Sequence, residues 1–414
     1  MTVVIPFIYF LLLCIYFRVK HGRFDVPSFL ALTYAVSAFF SIIAYNQDLN
    51  DYKYQMPVVH ILPTAVYCGL LTITFIPFSR FRGEMIKEIE RPKMWLFDAL
   101  AYIFIATFFI TIANLLPDII DHAREGELLT LRNEIYNEDE IAEPKGIRYI
   151  LALPTTLFSP CSPLMLVMYF YSVCFLEKRK IFNILLLLSS FTPVIPALLI
   201  SGRTQITYWL LTFIACYLLF RPYIGKNLSK RIITIFIVLG AVVLAFFIAV
   251  TISRWKEADI IKNAVIIYAG EPYIDFCMFF DTLHTKHIHL QRLFPFTYYF
   301  ILGYDTNLFA YREILYNETG IYANVFNTFL GDIMLDTGKT GMFIYTFLYA
   351  TITCIALHRK DKSIMPFYQL PIYIICLLVP LEGLFFYSFH TVRMSYYIIE
   401  TLIICILFRY RLKR

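Results

Sequence analysis

Charge is scarce in this chain. Of its 414 residues only 16% are Asp, Glu, Lys or Arg, while 59% are apolar and 18% aromatic, and the mean hydropathy is +0.66. So few charges cannot cover a water-facing globular surface of that length, which points to a polytopic membrane protein. DxD, P-loop, GxSxG and HExxH motifs are also missing. Their absence removes metal-assisted nucleotide-sugar transfer, ATP hydrolysis and the common hydrolase signatures from first consideration. Eight of the nine cysteines lie inside apolar runs, Cys277 being the exception, so no disulfide framework is implied. There is no tandem repeat and no soluble domain at either end. The first apolar run has no basic segment before it and no small-residue cleavage site after it, so a retained span is expected.

What the chain does have is long apolar runs. A helix needs roughly 17 to 25 apolar residues to cross about 30 Å of hydrocarbon. Eleven candidates occur, near 2–17, 26–44, 57–78, 94–116, 149–176, 181–200, 204–220, 232–252, 341–357, 364–388 and 394–408. The expectation is an all-α polytopic protein of about eleven transmembrane helices, with residues 1–414 as one integral membrane domain. The joints 18–25, 79–93, 177–180, 221–231 and 358–362, with the tail 409–414, hold 22 of the 36 basic residues. The positive-inside rule then places the N-terminus outside and the C-terminus in the cytoplasm. The net charge of +6 belongs to those joints, not to a nucleic-acid surface.

Two external segments stand out. Residues 117–148 carry nine carboxylates against four basic residues; this is a solvated loop, or a surface whose carboxylates bind sugar hydroxyls. Residues 253–340 form a much longer loop with aromatic stretches, "AVIIYAGEPYIDFCMFF" and "RLFPFTYYFILGY", that lie in the interface or re-enter. Loops of this length without low complexity are usually functional. Within it "HTKHIH" offers His284, His287 and His289, but no cysteine accompanies them and no metal site is assigned.

Charged residues near or within apolar runs are the remaining candidates. Arg203 opens the seventh run in "SGRT" and Arg393 the eleventh in "FHTVRM". A guanidinium at the positive end of a helix dipole suits an anion between them, and otherwise reads as a snorkelling anchor at the headgroups. Arg254, beside Trp255, fits the anchor reading better. Asp98 and Glu382 lie within runs. Glu382 is either functional or bonded to a neighbouring helix. Asp336 has a structural reading as a helix cap through "DTGK".

The segments "SGRT", "IYAGEPYIDF" and "NVFNTFLGDIMLDTGKTGMFIYTFLYA", in that order, resemble the Wzy-type O-antigen and capsule polymerases, the oligosaccharide repeat unit polymerases. Thr328, Phe329, Gly331, Asp336, Gly338 and Gly341 match that family's T-F-x-G-x-x-x-x-D-x-G-x-x-G pattern. Thr337 stands where the family more often has an aromatic residue. The spacing from Arg292 to Gly303 matches its Arg-X10-Gly. The resemblance covers most of residues 200–357. It implies a GT-C-like fold in the bacterial cytoplasmic (inner) membrane, and a metal-independent, inverting glycosyltransferase without cofactors. Its substrates would be polyprenyl-pyrophosphate-linked oligosaccharides, such as undecaprenyl pyrophosphate carriers of lipopolysaccharide or capsule repeats, as donor and acceptor. A chain-length regulator and a flippase are the implied protein partners, and no nucleic acid is involved. The chemistry asks for arginines to meet the leaving pyrophosphate, for which Arg203, Arg292, Arg393 and Arg254 are the candidates. It also asks for a base to take the acceptor proton, for which His390, Glu271 and Asp336 are candidates. An O-antigen ligase shares these features, and a lipid-linked sugar flippase or transporter is the alternative from another class.

The distribution of basic charge makes the topology testable. Reporter fusions at Lys360 and Glu140 should report cytoplasmic and external locations respectively; both on one side would overturn the orientation.

Overall fold

Long stretches without glycine or charge favour helix, because a buried backbone must bond within itself. The computed structural model describes residues 2–47, 58–81, 83–125, 147–199, 204–254, 258–283, 290–303, 313–314, 316–317, 320 and 326–409. Fourteen α-helices account for almost all of them. They are α1 (Ile5–His21), α2 (Val26–Asn46), α3 (Ile61–Phe81), α4 (Met94–Glu125), α5 (Ile147–Phe158), α6 (Ser162–Phe175) and α7 (Lys180–Ser189). Then come α8 (Val194–Leu199), α9 (Thr204–Phe220), α10 (Lys226–Arg254), α11 (Ala258–Thr282), α12 (Thr328–Ala356), α13 (Gln369–Glu382) and α14 (Val392–Arg409). Among the described residues one ladder of two-residue strands pairs β1 (Glu88–Ile89) with β2 (Ile364–Met365).

Six helical stretches among the described residues are long and apolar enough to cross a membrane: Thr2–His21, Val26–Asn46, Ile61–Phe81, Met94–Pro117, Ile150–Phe175 and Thr204–Tyr223. Their exposed residues are of the kind lipid accepts, such as Leu12, Ile15 and Val19 on α1 and Tyr102 and Phe109 on α4. This is an all-α membrane protein. Two of the apolar runs are each two helices. Residues 149–176 are α5 and α6, separated by a 3-10 turn at Ser159–Cys161 that contains Pro160. Residues 181–200 are α7 and α8 with a turn between them. Proline removes a helical donor and explains the first break.

The chain divides into two compact units. The first holds residues 1–88, 258–365 and 375–395, and the second holds 89–257, 366–374 and 396–414. In the second unit Trp209 Nε1 donates to Ser190 Oγ at 2.8 Å, and Ser162 Oγ donates to the Ser190 carbonyl at 2.6 Å. Lys178 bonds the Asp98 carboxylate at 2.8 Å, which gives that carboxylate a partner. The Cys161 thiol donates to Glu400 at 3.0 Å.

The first unit is built on α1, α2, α3, α11 and α12. Asp25 caps α2, accepting from the Ser28 N–H at 3.2 Å and its hydroxyl at 2.8 Å. Phe10, Tyr34, Tyr67 and Phe75 form a fully buried aromatic cluster. Residues 258–282, within the segment expected as an external loop, form the 25-residue helix α11, which packs against α2, α3 and α12. The approach to α2 is close: a Cβ on Gly270 would lie 2.6 Å from the Phe40 carbonyl. Ser37 and Ser41 donate to the Ala269 and Gly270 carbonyls at 2.7 and 2.6 Å. Those bonds fall in the turn that Pro272 disturbs, where the helix's own ladder is weakened. Tyr273 OH and Thr64 Oγ1 share a 2.6 Å hydrogen bond.

That contact makes Gly270 sensitive to a single methyl. Gly270→Ala should lower the stability of the detergent-solubilised protein by about 1–3 kcal/mol, as overpacking does. Gly69→Ala, at a helix position with nothing within 4 Å, should be neutral or slightly stabilising. Equal behaviour of the two variants in thermal unfolding would count against this packing.

Candidate functional site

The motif-bearing helix α12 begins under restraint and breaks once. Its first two N–H groups are taken by the chain that follows α13: Thr328 N–H donates to the Phe385 carbonyl at 3.0 Å, and Phe329 N–H to Gly383 at 2.8 Å. The helix is interrupted at Gly338, with φ 73° and ψ 175°, a region essentially restricted to glycine. Just beyond the break, a Cβ on Gly341 would lie 2.3 Å from Thr337 Cβ and Oγ1. The two glycines of D-x-G-x-x-G thus do separate work. One permits the break and the other makes room for the side chain that the break folds over it.

Inside the first half of α12 sits a buried ion pair. Asp332 is 2% exposed and Arg292 5%, and the Arg292 Nη1 donates to Asp332 Oδ1. The other carboxylate oxygen accepts the Tyr387 backbone N–H at 2.7 Å. Asn327, with its amide oriented by the groups around it, donates to Asp332 Oδ1 at 2.9 Å. One turn on, Asp336 accepts the Leu293 N–H at 3.1 Å. Two successive residues, Arg292 and Leu293, are therefore tied to two carboxylates four apart on one helix face. Desolvated charges hold only when paired and hydrogen-bonded in this way.

The 3-10 turn Ser388–His390 continues from Tyr387. His390 Nδ1 and the His390 N–H both meet the Tyr387 carbonyl. Phe386 stands edge-on to the imidazole at 5.3 Å. Glu382 is buried at the end of α13. Arg393 occupies the first turn of α14, which Thr391 caps by accepting the Met394 N–H at 3.2 Å; the arginine is exposed.

Of the residues singled out from sequence, the first unit brings Arg292, Asp336 and His390 into one connected region. Asp336 does so by bonding the 292–293 segment, a role the helix-cap reading did not include. Glu271 is buried on α11, at the end of the unit where α2 finishes and α3 begins, as the contacts of Gly270 and Tyr273 locate it. Arg254 ends α10, its side chain outside the described residues, and Arg203, His284, His287, His289 and residues 126–146 also lie outside them. Sequence reasoning missed Asp332 and Asp275. The signal was present: Glu271 with Asp275, and Asp332 with Asp336, are carboxylates at i and i+4, and all four are buried. Among the described residues no three His, Cys, Asp or Glu side chains come together to hold a metal ion.

The ion pair predicts a non-additive response. Asp332→Ala leaves the Arg292 charge buried alone and should cost about 3–5 kcal/mol. The double variant with Arg292→Ala should cost less than Asp332→Ala by itself. Additive losses in chemical unfolding would show that the two charges do not depend on each other.

No protein-family model, curated protein or solved structure matches the chain, so its function is read from its own residues.

Proposed function

We propose that this chain is a glycosyltransferase of about eleven spans that polymerises polyprenyl-pyrophosphate-linked oligosaccharide repeat units on the outer face of a bacterial cytoplasmic membrane. The observation that carries the reading is the segment 327–341. It matches the polymerase motif, and it is also where a membrane-type bundle builds a buried network of aspartate, arginine and backbone donors. Buried, hydrogen-bonded ionisable groups gathered in this way are functional candidates.

In the reaction a hydroxyl of one lipid-linked repeat unit attacks the anomeric carbon of another lipid-linked chain. The new C–O bond forms as the bond to the pyrophosphate oxygen breaks. The leaving polyprenyl pyrophosphate takes the electron pair, and a base takes the hydroxyl proton. Backside attack inverts the anomeric centre. His390 is assigned as that base, since a neutral imidazole has one ring nitrogen that can accept a proton. Arg393, exposed in the first turn of α14, is assigned to the pyrophosphate, where helix dipole, N–H groups and guanidinium all favour an anion. Arg203 is given the same task from its Gly-Arg-Thr joint. Arg292 is already engaged by Asp332 and is assigned a supporting part.

Purified protein should elongate lipid-linked repeat units in excess EDTA. Activity restored only by a divalent ion would overturn the metal-independent mechanism. Arg203→Lys retains charge but loses the bidentate fork. It should insert normally while polymer formation falls about 10²-fold to 10³-fold. An anchor would tolerate lysine, so wild-type polymer at equal protein level would remove Arg203 from the site.

A further inference from the structure

Tyr387 has both of its backbone groups committed. Its N–H is held by Asp332 Oδ2 at 2.7 Å, and its carbonyl receives His390 Nδ1 and the His390 N–H. A carbonyl oxygen can only accept, so the imidazole nitrogen that meets it must carry a proton. In the neutral ring that leaves Nε2 as the basic nitrogen. The turn has little freedom to present the ring otherwise. The Tyr387 ring packs against Tyr345 at 5.8 Å and Phe389 at 5.9 Å, and Phe386 lies edge-on to His390 and stacks on Phe326 at 6.1 Å.

We propose that Asp332, itself held by Arg292, is a positioning residue. Through the Tyr387 backbone it fixes the His390 imidazole as its Nδ1–H tautomer, so that Nε2 is the atom that takes the acceptor hydroxyl's proton. The proposal rests on the glycosyltransferase reading for the identity of that proton, but the tautomer and its dependence on Asp332 do not. Side-chain tautomer is commonly set by what the second ring nitrogen bonds. Here the chain of command runs from a buried ion pair through a peptide unit to the ring. It gives Arg292 a function at the site without any contact to pyrophosphate.

The test is nitrogen-15 solid-state NMR on histidine-labelled protein in lipid bilayers. The chain has eight histidines, so the spectrum of His390→Gln, subtracted from that of the native protein, isolates His390. The expected result is a neutral ring protonated at Nδ1. Because Asp332→Leu alone would strand a charge, the companion variant is Arg292→Met with Asp332→Leu, which removes both charges and the acceptor of the Tyr387 N–H together. It should show mixed tautomers at His390, with kcat on lipid-linked repeat units lower by about 10²-fold and KM within about 2-fold. An Nε2–H tautomer in the native protein would overturn the proposal, and so would an unchanged spectrum and kcat in a folded double variant. Native protein with the expected tautomer but no polymer product would instead sink the glycosyltransferase reading and leave the positioning of His390 standing.

Discussion

Much of the first unit's organisation follows from the cost of keeping Asp332 and Arg292 out of water. Neither charge is tolerable alone at that burial, and each must also find partners for its remaining donors or acceptors. The carboxylate does so by drawing in the Tyr387 backbone and the Asn327 amide. The start of α12, the 290–296 segment and the chain after α13 are thereby brought to one place. The two backbone bonds from Thr328 and Phe329 reinforce the same junction. Remove the ion pair and three stretches distant in sequence lose their common reference point.

The glycines of α12 solve a different problem. A continuous helix would carry Asp336 on in register with the apolar face that follows it. The break at Gly338 ends the first half two residues after Asp336, whose carboxylate accepts the Leu293 N–H. The motif is thus a structural specification. Aspartate supplies the acceptor, the first glycine supplies the break, and the second supplies clearance for Thr337.

The readability of the sequence varied with the physics of each segment. Apolar runs announced the membrane-type helices, because a lipid-facing helix must be apolar over most of its length. The same rule hid α11. Asp259, Lys262, Glu271, Asp275 and Asp281 depress its hydropathy, although from Ile266 to Phe280 most of its side chains are buried by protein. Pro160 and the turn after Ser189 split runs that composition alone reads as continuous. At the site, residue type and motif order pointed to Asp336, Arg292 and His390. They could not say that Arg292 meets a carboxylate of its own chain, since that pairing joins positions forty apart through tertiary packing. The i, i+4 carboxylates were visible, but only burial gave them meaning.

The fit of α11 also bears on how the protein is made. A segment with acidic residues along its length is poorly favoured when hydropathy alone selects what enters the bilayer. What receives α11 is a surface already shaped for it. The serine hydroxyls of α2 meet the Ala269 and Gly270 carbonyls, the Phe40 backbone fits against Gly270, and Thr64 of α3 meets Tyr273. The first three helices leave the ribosome some two hundred residues before α11 does. They are therefore made before the helix that they come to bury.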